Sequence, residues 1–445
     1  MKVLFIEVDT ERAWAVASLG PATIAAWLRR HGHEVEFFRA AVDADPAVVA
    51  ARAAESAPGL IGLSLTSRQW LRALELAEPL ARVAPIIAGG LHPTFAAEEV
   101  LAHEAFSYVC LGEGEEALLE LVEAIEAGRP DAAIANIQRR GEPRPPLRPP
   151  FSPLDAMPFP ARDLLDEHPG CLHLTTQRGC PFPCTYCAAR TTDDLYADVA
   201  PYGRRRSIDS VLEEVRVLRR EAGLSYAIFL DDTFTIHHPW VREFCQRWRR
   251  EGGPPFSLHA RVETVSRELL AELASAGCRH ITYGVESGSE RIRRDVMMRP
   301  VTNERFRQVF RWTKDAGILV TANYMLGVPG ETREDMDATL RLAEELDADD
   351  FGFFVFYPYP GTRLYSLCQE RGYLPPNPLA LPANNRASIL NLPELSKADI
   401  AAAYERFTRL RERLYEAREQ AAAAQRGGSP CVSATEHVRT SAANG

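Results

Sequence analysis

Apolar runs are short throughout this sequence, and none approaches the roughly 20 residues of a membrane span. The opening MKVLFIEVDT holds too brief an apolar stretch for a signal-peptide core. A basic surplus is also missing. The net charge is −10, which leaves no electrostatic grip on nucleic acid or an anionic membrane. No GxGxxG follows the first strand-like segment and no GxxxxGK[ST] occurs, so neither a dinucleotide nor a nucleoside triphosphate is favoured. Cysteine is scarce, at nine in 445 residues. The expected compartment is the cytoplasm, where disulfides are rare and clustered cysteines point to metal or catalysis.

What is present is alternation. Up to about residue 127, the apolar runs KVLFIEV, EVEFFRA, LIGLSL, PIIAGG and YVCLG read as strands buried on both faces. Helical patterns at 21–31, 46–56, 70–83 and 115–126 lie among them. This is a five-strand, doubly wound α/β unit, expected over residues 1–140. Ligands of such sheets sit beyond the carboxyl ends of the strands. Those ends carry Ser64-Leu65-Thr66-Ser67, Gly89-Gly90-Leu91-His92-Pro93 and Gly112-Glu113-Gly114-Glu115. Three such loops on one rim suggest a flat ligand; singly, each reads as an ordinary turn.

Residues 141–165 are dense in proline and read as an extended connector. Alternation then resumes, with strands expected at 172–177, 226–230, 256–260, 280–285, 319–325 and 351–357. Six strand–helix repeats fall two short of a closed βα barrel, so residues 166–375 are expected to form an open, partial barrel. Residues 376–425 read as a loop and a long helix, and residues 426–445, with Cys431, as a disordered tail. The densest basic run, Arg204-Arg205-Arg206, reads as a solvated turn before a helix.

The stretch QRGCPFPCTYC places Cys180, Cys184 and Cys187 in a C-x3-C-x2-C loop directly after the first barrel strand. A structural zinc site would need a fourth ligand, usually from a second pair, and none is evident. Three thiolates in a tight loop suit three corners of a cubane iron–sulfur cluster whose fourth iron takes a non-protein ligand. Tyr186 is placed to cover it.

At these residues the sequence resembles the radical S-adenosylmethionine (SAM) enzymes, whose C-x3-C-x-aromatic-C motif RGCPFPCTYC matches. The resemblance implies a partial (βα)6 barrel, a [4Fe–4S] cluster on Cys180, Cys184 and Cys187, and SAM on the open iron. It further implies that FLDDTFT supplies Asp231 or Asp232 to the SAM amino group. HARVETV would supply Arg261 to its carboxylate, and YGVESGSE would bring Glu286 to the ribose with Ser287 beside it. The first domain, with GG-x-HP and LGEGE, resembles the cobalamin-binding subgroup. Ser64, Thr66, Gly89, Gly90, His92, Gly112 and Glu113 are then implied contacts of cobalamin. The D-x-H-x-x-G motif is absent, so no protein imidazole is expected on cobalt. The function implied is a cobalamin-dependent radical SAM methyltransferase, methylating a carbon or phosphorus centre of a small natural-product intermediate. The alternatives are a radical cyclase or rearrangement enzyme without methyl transfer and, more remotely, a non-catalytic cobalamin or redox carrier. A methylthiotransferase would bring three more cysteines to the first domain, where Cys110 stands alone. The implied partners are a small-molecule substrate and an electron donor such as flavodoxin or ferredoxin.

Overall fold

A computed structural model describes residues 1–10, 18–165 and 167–425. The tail expected to be disordered from residue 426, with Cys431, lies outside the described residues. By its internal contacts the chain forms two compact units. The first comprises Met1–Asp232, Pro358–Ser366 and Leu379–Ala383; the second comprises Thr233–Tyr357, Leu367–Pro378 and the chain from Asn384 on.

The first unit opens with β1 (Lys2–Val8), α1 (Leu19–Arg30), β2 (Glu34–Ala40), α2 (Pro46–Ser56), β3 (Leu60–Ser64), α3 (Trp70–Ala81) and β4 (Ile86–Gly89). Two short helices follow, α4 (Leu91–Phe95) and α5 (Ala97–Ala102), then β5 (Phe106–Cys110), α6 (Glu115–Glu126) and β6 (Ile137–Arg139). The strand order is β2-β1-β3-β4-β5-β6, parallel except for β6. The order reverses at β1, between β2 and β3, which makes the carboxyl ends there a topological switch point. KVLFIEV shows no polar alternation because both its faces are covered. Val3 and Phe5 pack with Leu28 of α1 and Leu121 of α6, while Leu4, Ile6 and Val8 pack with Ala53 of α2 and Leu76 of α3.

The same unit continues with β7 (Cys171–Leu174), β8 (Gln177–Arg178), α7 (Ala188–Leu195), β9 (Arg204–Arg205), α8 (Ile208–Glu221) and β10 (Tyr226–Phe229). Strand β7 pairs in parallel with β10, from Cys171↔Tyr226 to Leu174↔Phe229. Strands β8 and β9 form a small antiparallel pair, Arg178 opposite Arg204. That hairpin is not read from the sequence, since two-residue strands leave no periodicity to detect.

The second unit carries α9 (His238–Arg250), β11 (Phe256–Ala260), α10 (Arg267–Ser275), β12 (Cys278–Glu286), α11 (Asn303–Asp315), β13 (Leu319–Leu326), α12 (Arg333–Leu346) and β14 (Asp350–Val355). The chain then runs through α13 (Arg363–Glu370) to α14 (Lys397–Gln425). Strands β11 to β14 are parallel neighbours in chain order. Ser266, Thr302 and Thr332 each cap the helix they precede, Thr332 in a reciprocal capping box with Asp335. Helix α14 lays Phe407 against Tyr324, Phe351 and Phe353, with ring centroids 5.5–6.5 Å apart. The chain thus supplies six parallel barrel strands, two in the first unit and four in the second. No helix among the described residues is long and apolar enough to cross a membrane.

Candidate active site

The cysteine loop leaves β8 through Gly179, whose φ of +91° lies in the left-handed region. A Cβ there would stand 3.0 Å from the Tyr202 ring and 3.1 Å from the Gly203 backbone, so glycine lets the hairpin and the loop approach. Cys180 and Cys184 are buried and Cys187 is half-buried. Cys187 N–H donates to the Cys184 carbonyl (3.3 Å), and the Cys187 carbonyl accepts from Thr191 N–H (3.3 Å) as α7 begins. The loop is therefore closed on itself and continued by a helix. Half-buried Tyr186 lies between the last two cysteines. Burial pushes the Cys187 thiol up to about 12, so iron would have to displace its proton. Among the described residues no three His, Cys, Asp or Glu side chains are gathered around one ion. A cubane spreads three thiolates over three irons, and three cysteines within one short loop suit that use.

Asp231 and Asp232 part company. Asp231 is buried, and its Oδ1 accepts from Thr176 N–H (2.7 Å) and Gln177 N–H (2.8 Å), while Oδ2 accepts from the Thr176 hydroxyl (2.9 Å). It fastens the segment leading to the cysteine loop, and burial pushes its carboxyl up to about 6 despite those bonds. Asp232 is solvent-accessible, yet surrounding protein and the Asp193 charge also raise its carboxyl. Accessible but ringed by protein, it suits the wall of a recess and remains the better candidate for a ligand's cation.

At the switch point of the first sheet lies a narrow cleft of about 60 Å³, lined among others by Ser64, Gly89, Gly90, Gly112, Gly114 and Cys110. Five glycines line it, beside apolar side chains such as Phe5, Ile24, Ile87 and Leu118. Gly90 has φ +90°, and a Cβ on it would stand 2.8 Å from the Leu65 carbonyl oxygen. Glycine there leaves main chain open to a group laid against it. Three expected contacts, Thr66, His92 and Glu113, do not line it. The Thr66 hydroxyl donates to Gln69 Oε1 (3.0 Å). His92 is buried, stacked on Trp70 at 4.8 Å, with Nδ1 3.0 Å from the Ser67 hydroxyl; burial lowers its pKa to about 4, so the ring is neutral.

Glu113 is the centre of a buried ion network. Its Oε1 accepts from Arg178 (2.8 Å) and Arg204 (2.6 Å), and its Oε2 from Arg204 (3.0 Å) and Phe151 N–H (2.8 Å). Glu115 takes the other arm of Arg178 at 2.6 Å. Burial works against the Glu113 charge, but the hydrogen bonds and charges of Arg204 and Arg178 prevail and hold its carboxyl below the usual range. The expected solvated turn at Arg204-Arg205-Arg206 is corrected by the same contacts. Arg204 is nearly enclosed by Glu113, and Arg206 is paired with buried Glu214. The run is basic because three carboxylate- or carbonyl-bound guanidiniums are needed there, a signal that a charge count alone does not reveal.

In the second unit, Arg261 directly follows β11 and pairs with Glu263, which also takes Arg299 (3.2 Å); Arg299 in turn lies 3.8 Å from Glu286. Arg261 and Glu286 are thus joined through Glu263 and Arg299, neither of which stands out in the sequence. Glu286 has φ +69° at a register shift between β12 and β13, a strained non-glycine position of the kind that sites retain. Ser287 faces inward instead, its hydroxyl 3.2 Å from that of Thr339 on α12.

A three-cysteine loop after the first barrel strand, behind a doubly wound sheet with a glycine-walled cleft, defines an enzyme of the radical SAM class joined to a cofactor-carrying domain. Comparison with known proteins agrees. Residues 174–343 match the radical SAM superfamily and residues 11–122 the B12 binding domain. An uncharacterized methyltransferase of Pyrococcus horikoshii is 29% identical over 389 residues, covering 82% of each chain. The cytidylyl-2-hydroxyethylphosphonate methyltransferase of Streptomyces wedmorensis is 26% identical, covering 90% of this chain and 88% of its own. The anaerobic magnesium-protoporphyrin IX monomethyl ester cyclase of Rubrivivax gelatinosus is also 26% identical, covering 84% and 70%. The radical SAM methyltransferase TsrM from Kitasatospora setae, solved with cobalamin and a [4Fe–4S] cluster, shares the fold at TM-score 0.68 and 20% identity, over 83% of this chain and 75% of that one. The chain thus joins a radical SAM domain to a B12 binding domain, the pairing found in cobalamin-binding radical SAM enzymes.

Proposed function

We propose that this enzyme is a cobalamin-dependent radical SAM methyltransferase acting on a carbon or phosphorus centre of a small molecule. The observation that carries the reading is that one compact unit holds both a three-cysteine loop and a partly glycine-lined cleft against the first sheet. When bound, the cluster and SAM supply a 5′-deoxyadenosyl radical and cobalamin supplies a transferable methyl group. The chain's own part is to hold and orient. Cys180, Cys184 and Cys187 bind three irons, with Tyr186 beside them. Asp232 receives the SAM ammonium, Arg261 the SAM carboxylate and Glu286 the ribose hydroxyls. Gly89, Gly90, Gly112 and Ser64 give main chain and hydroxyl to the nucleotide tail. The methyltransferase names of two relatives aligned over most of their length support this outcome. An electron donor such as flavodoxin or ferredoxin and a cytoplasmic setting, which free thiols favour, belong to the same reading. In domain terms it assigns cobalamin to residues 1–140 and radical chemistry to residues 166–375, joined by 141–165.

A second reading keeps the cofactors and ends in cyclisation or rearrangement; the cyclase relative at equal identity to the phosphonate methyltransferase favours it. Anaerobic reconstitution with SAM, cobalamin, a reductant and candidate intermediates separates the two. Methylation gives S-adenosylhomocysteine and 5′-deoxyadenosine in equal amounts with a product one methylene heavier. Deoxyadenosine formed alone refutes the methyltransferase reading. Cys184→Ala is expected to lose the brown cluster absorbance, and iron retained with SAM cleavage intact would refute the cluster assignment.

A further inference from the structure

The turn at residues 112–115 meets the cysteine loop at both of its ends. Upstream, Arg178 lies two residues before Cys180, and its two terminal nitrogens are held by Glu113 (2.8 Å) and Glu115 (2.6 Å). Arg204, opposite Arg178 in the hairpin, closes on Glu113 from the other side. Downstream, α7 runs from the last cysteine to Tyr196, whose hydroxyl accepts from Glu113 N–H at 2.8 Å. The Tyr196 ring stacks on Tyr202 at 5.1 Å, and its phenol fills the space a Cβ on Gly112 would need. The segment carrying all three cysteines is thus pinned at each end to one four-residue turn.

The same turn divides its atoms between two sites. Gly112 and Gly114 line the cleft; Glu113 and Glu115 do not. A carboxylate has about four lone-pair sites, and those of Glu113 are taken by Arg178, by Arg204 twice and by Phe151 N–H. No acceptor capacity is left for a cofactor.

We propose that Glu113 and Glu115 are positioning residues for the cluster loop, acting through Arg178 and Arg204 and not through cobalamin. This rests on the assignment of Cys180, Cys184 and Cys187 to the cluster. Glu113→Gln keeps the shape and removes the charge that both arginines share. In the full chain, reconstituted anaerobically, Glu113→Gln is expected to bind hydroxocobalamin at the wild-type stoichiometry, read from its visible band. Its reduced cluster should show a shifted electron paramagnetic resonance spectrum. The SAM concentration that half-saturates the SAM-induced spectral change should rise about 10-fold, as for other groups that orient metal ligands. Arg178→Gln should reproduce the effect, and the double variant should be no worse than either single one, because the two act as a unit. Where Glu113→Gln yields no folded protein, Arg204→Lys serves, keeping charge but losing the two-pronged grip, with the same spectral shift expected. Loss of cobalamin with an unaltered cluster spectrum, additive effects in the double variant, or no change in either readout overturns the proposal. The Cys184→Ala control keeps the outcomes apart: if that variant retains its iron, the cluster assignment has failed, not the positioning role.

Discussion

Replacing Asp231 with asparagine should raise the thermal stability of the protein above pH 6 and leave SAM binding intact. The amide keeps Oδ1 for Thr176 N–H and Gln177 N–H, and its Nδ2 donates to a Thr176 hydroxyl that turns to accept. What it removes is a buried charge. Burial pushes the Asp231 carboxyl up to about 6, outweighing its hydrogen bonds and the nearby Arg205 charge, against about 3.9 in an unfolded chain. Two pKa units correspond to about 3 kcal/mol carried by the native state when the group is ionised. Because the folded pKa lies above the unfolded one, the native state binds this proton more tightly. That contribution is full below about pH 4 and is lost as pH rises through about 6. Asparagine does not titrate, so the variant's advantage should open between pH 4 and 6 and stay level above, at about 5–10 °C in melting midpoint. Asp231→Ala should lose that gain, since two buried amides left without acceptors cost about 1–3 kcal/mol each. Anaerobic melting curves at pH 4.5, 6 and 8 measure the first effect, and the SAM-induced change in the cluster's paramagnetic spectrum measures the second. A variant that melts below wild type at pH 8, or that keeps its cluster and loses the SAM response, would refute this account and return the SAM contact to Asp231.

Gly90→Ala places a Cβ on a backbone at φ +90° and within 2.8 Å of the Leu65 carbonyl oxygen. It is expected to cost about 1–3 kcal/mol and most of the bound cobalamin, with iron per chain unchanged; equal losses of both would argue against a local wall. Glu331 is buried on the loop after β13, where its Oε2 accepts from Gly327 N–H (2.7 Å) and Val328 N–H (3.2 Å), and burial pushes its carboxyl up to about 8. The native state is therefore favoured below about pH 4.5 and loses that margin as pH rises through about 8. Wild-type melting should fall between about pH 4.5 and 8 and level off above, while Glu331→Gln lacks that fall, and parallel curves would count against the assignment.

Most of the fold was legible because it is written in local pattern. Unbroken apolar runs such as KVLFIEV reported strands covered on both faces, and the structure supplies those covers as α1 and α6 on one side and α2 and α3 on the other. The elements that escaped were short or irregular. Strand β6 has three residues and pairs antiparallel beside a proline-rich stretch, and β8 and β9 have two residues each. A single turn of π-helix at Ile292–Val296 carries no period that an apolar count detects.

The site divides along a different line. The cysteine spacing was readable because all three thiols lie within Cys180–Cys187, and the glycines were readable because backbone conformation is local. Carboxylates were not. Glu113 and Asp231 sit where a ligand-binding acid would sit, after a sheet strand and after a barrel strand, and nothing within several residues says what they face. Their partners are distant in sequence: Arg178 is 65 residues and Arg204 91 residues from Glu113, and Thr176 is 55 residues from Asp231. An acid's position along a strand thus locates it near a site, but its lone pairs decide its work. Asp231 and Glu113 have theirs engaged by the segment around the cysteines. That makes the two acids fasteners of the segment around the cysteine loop, and the proposed ligand contact falls to the solvent-accessible Asp232.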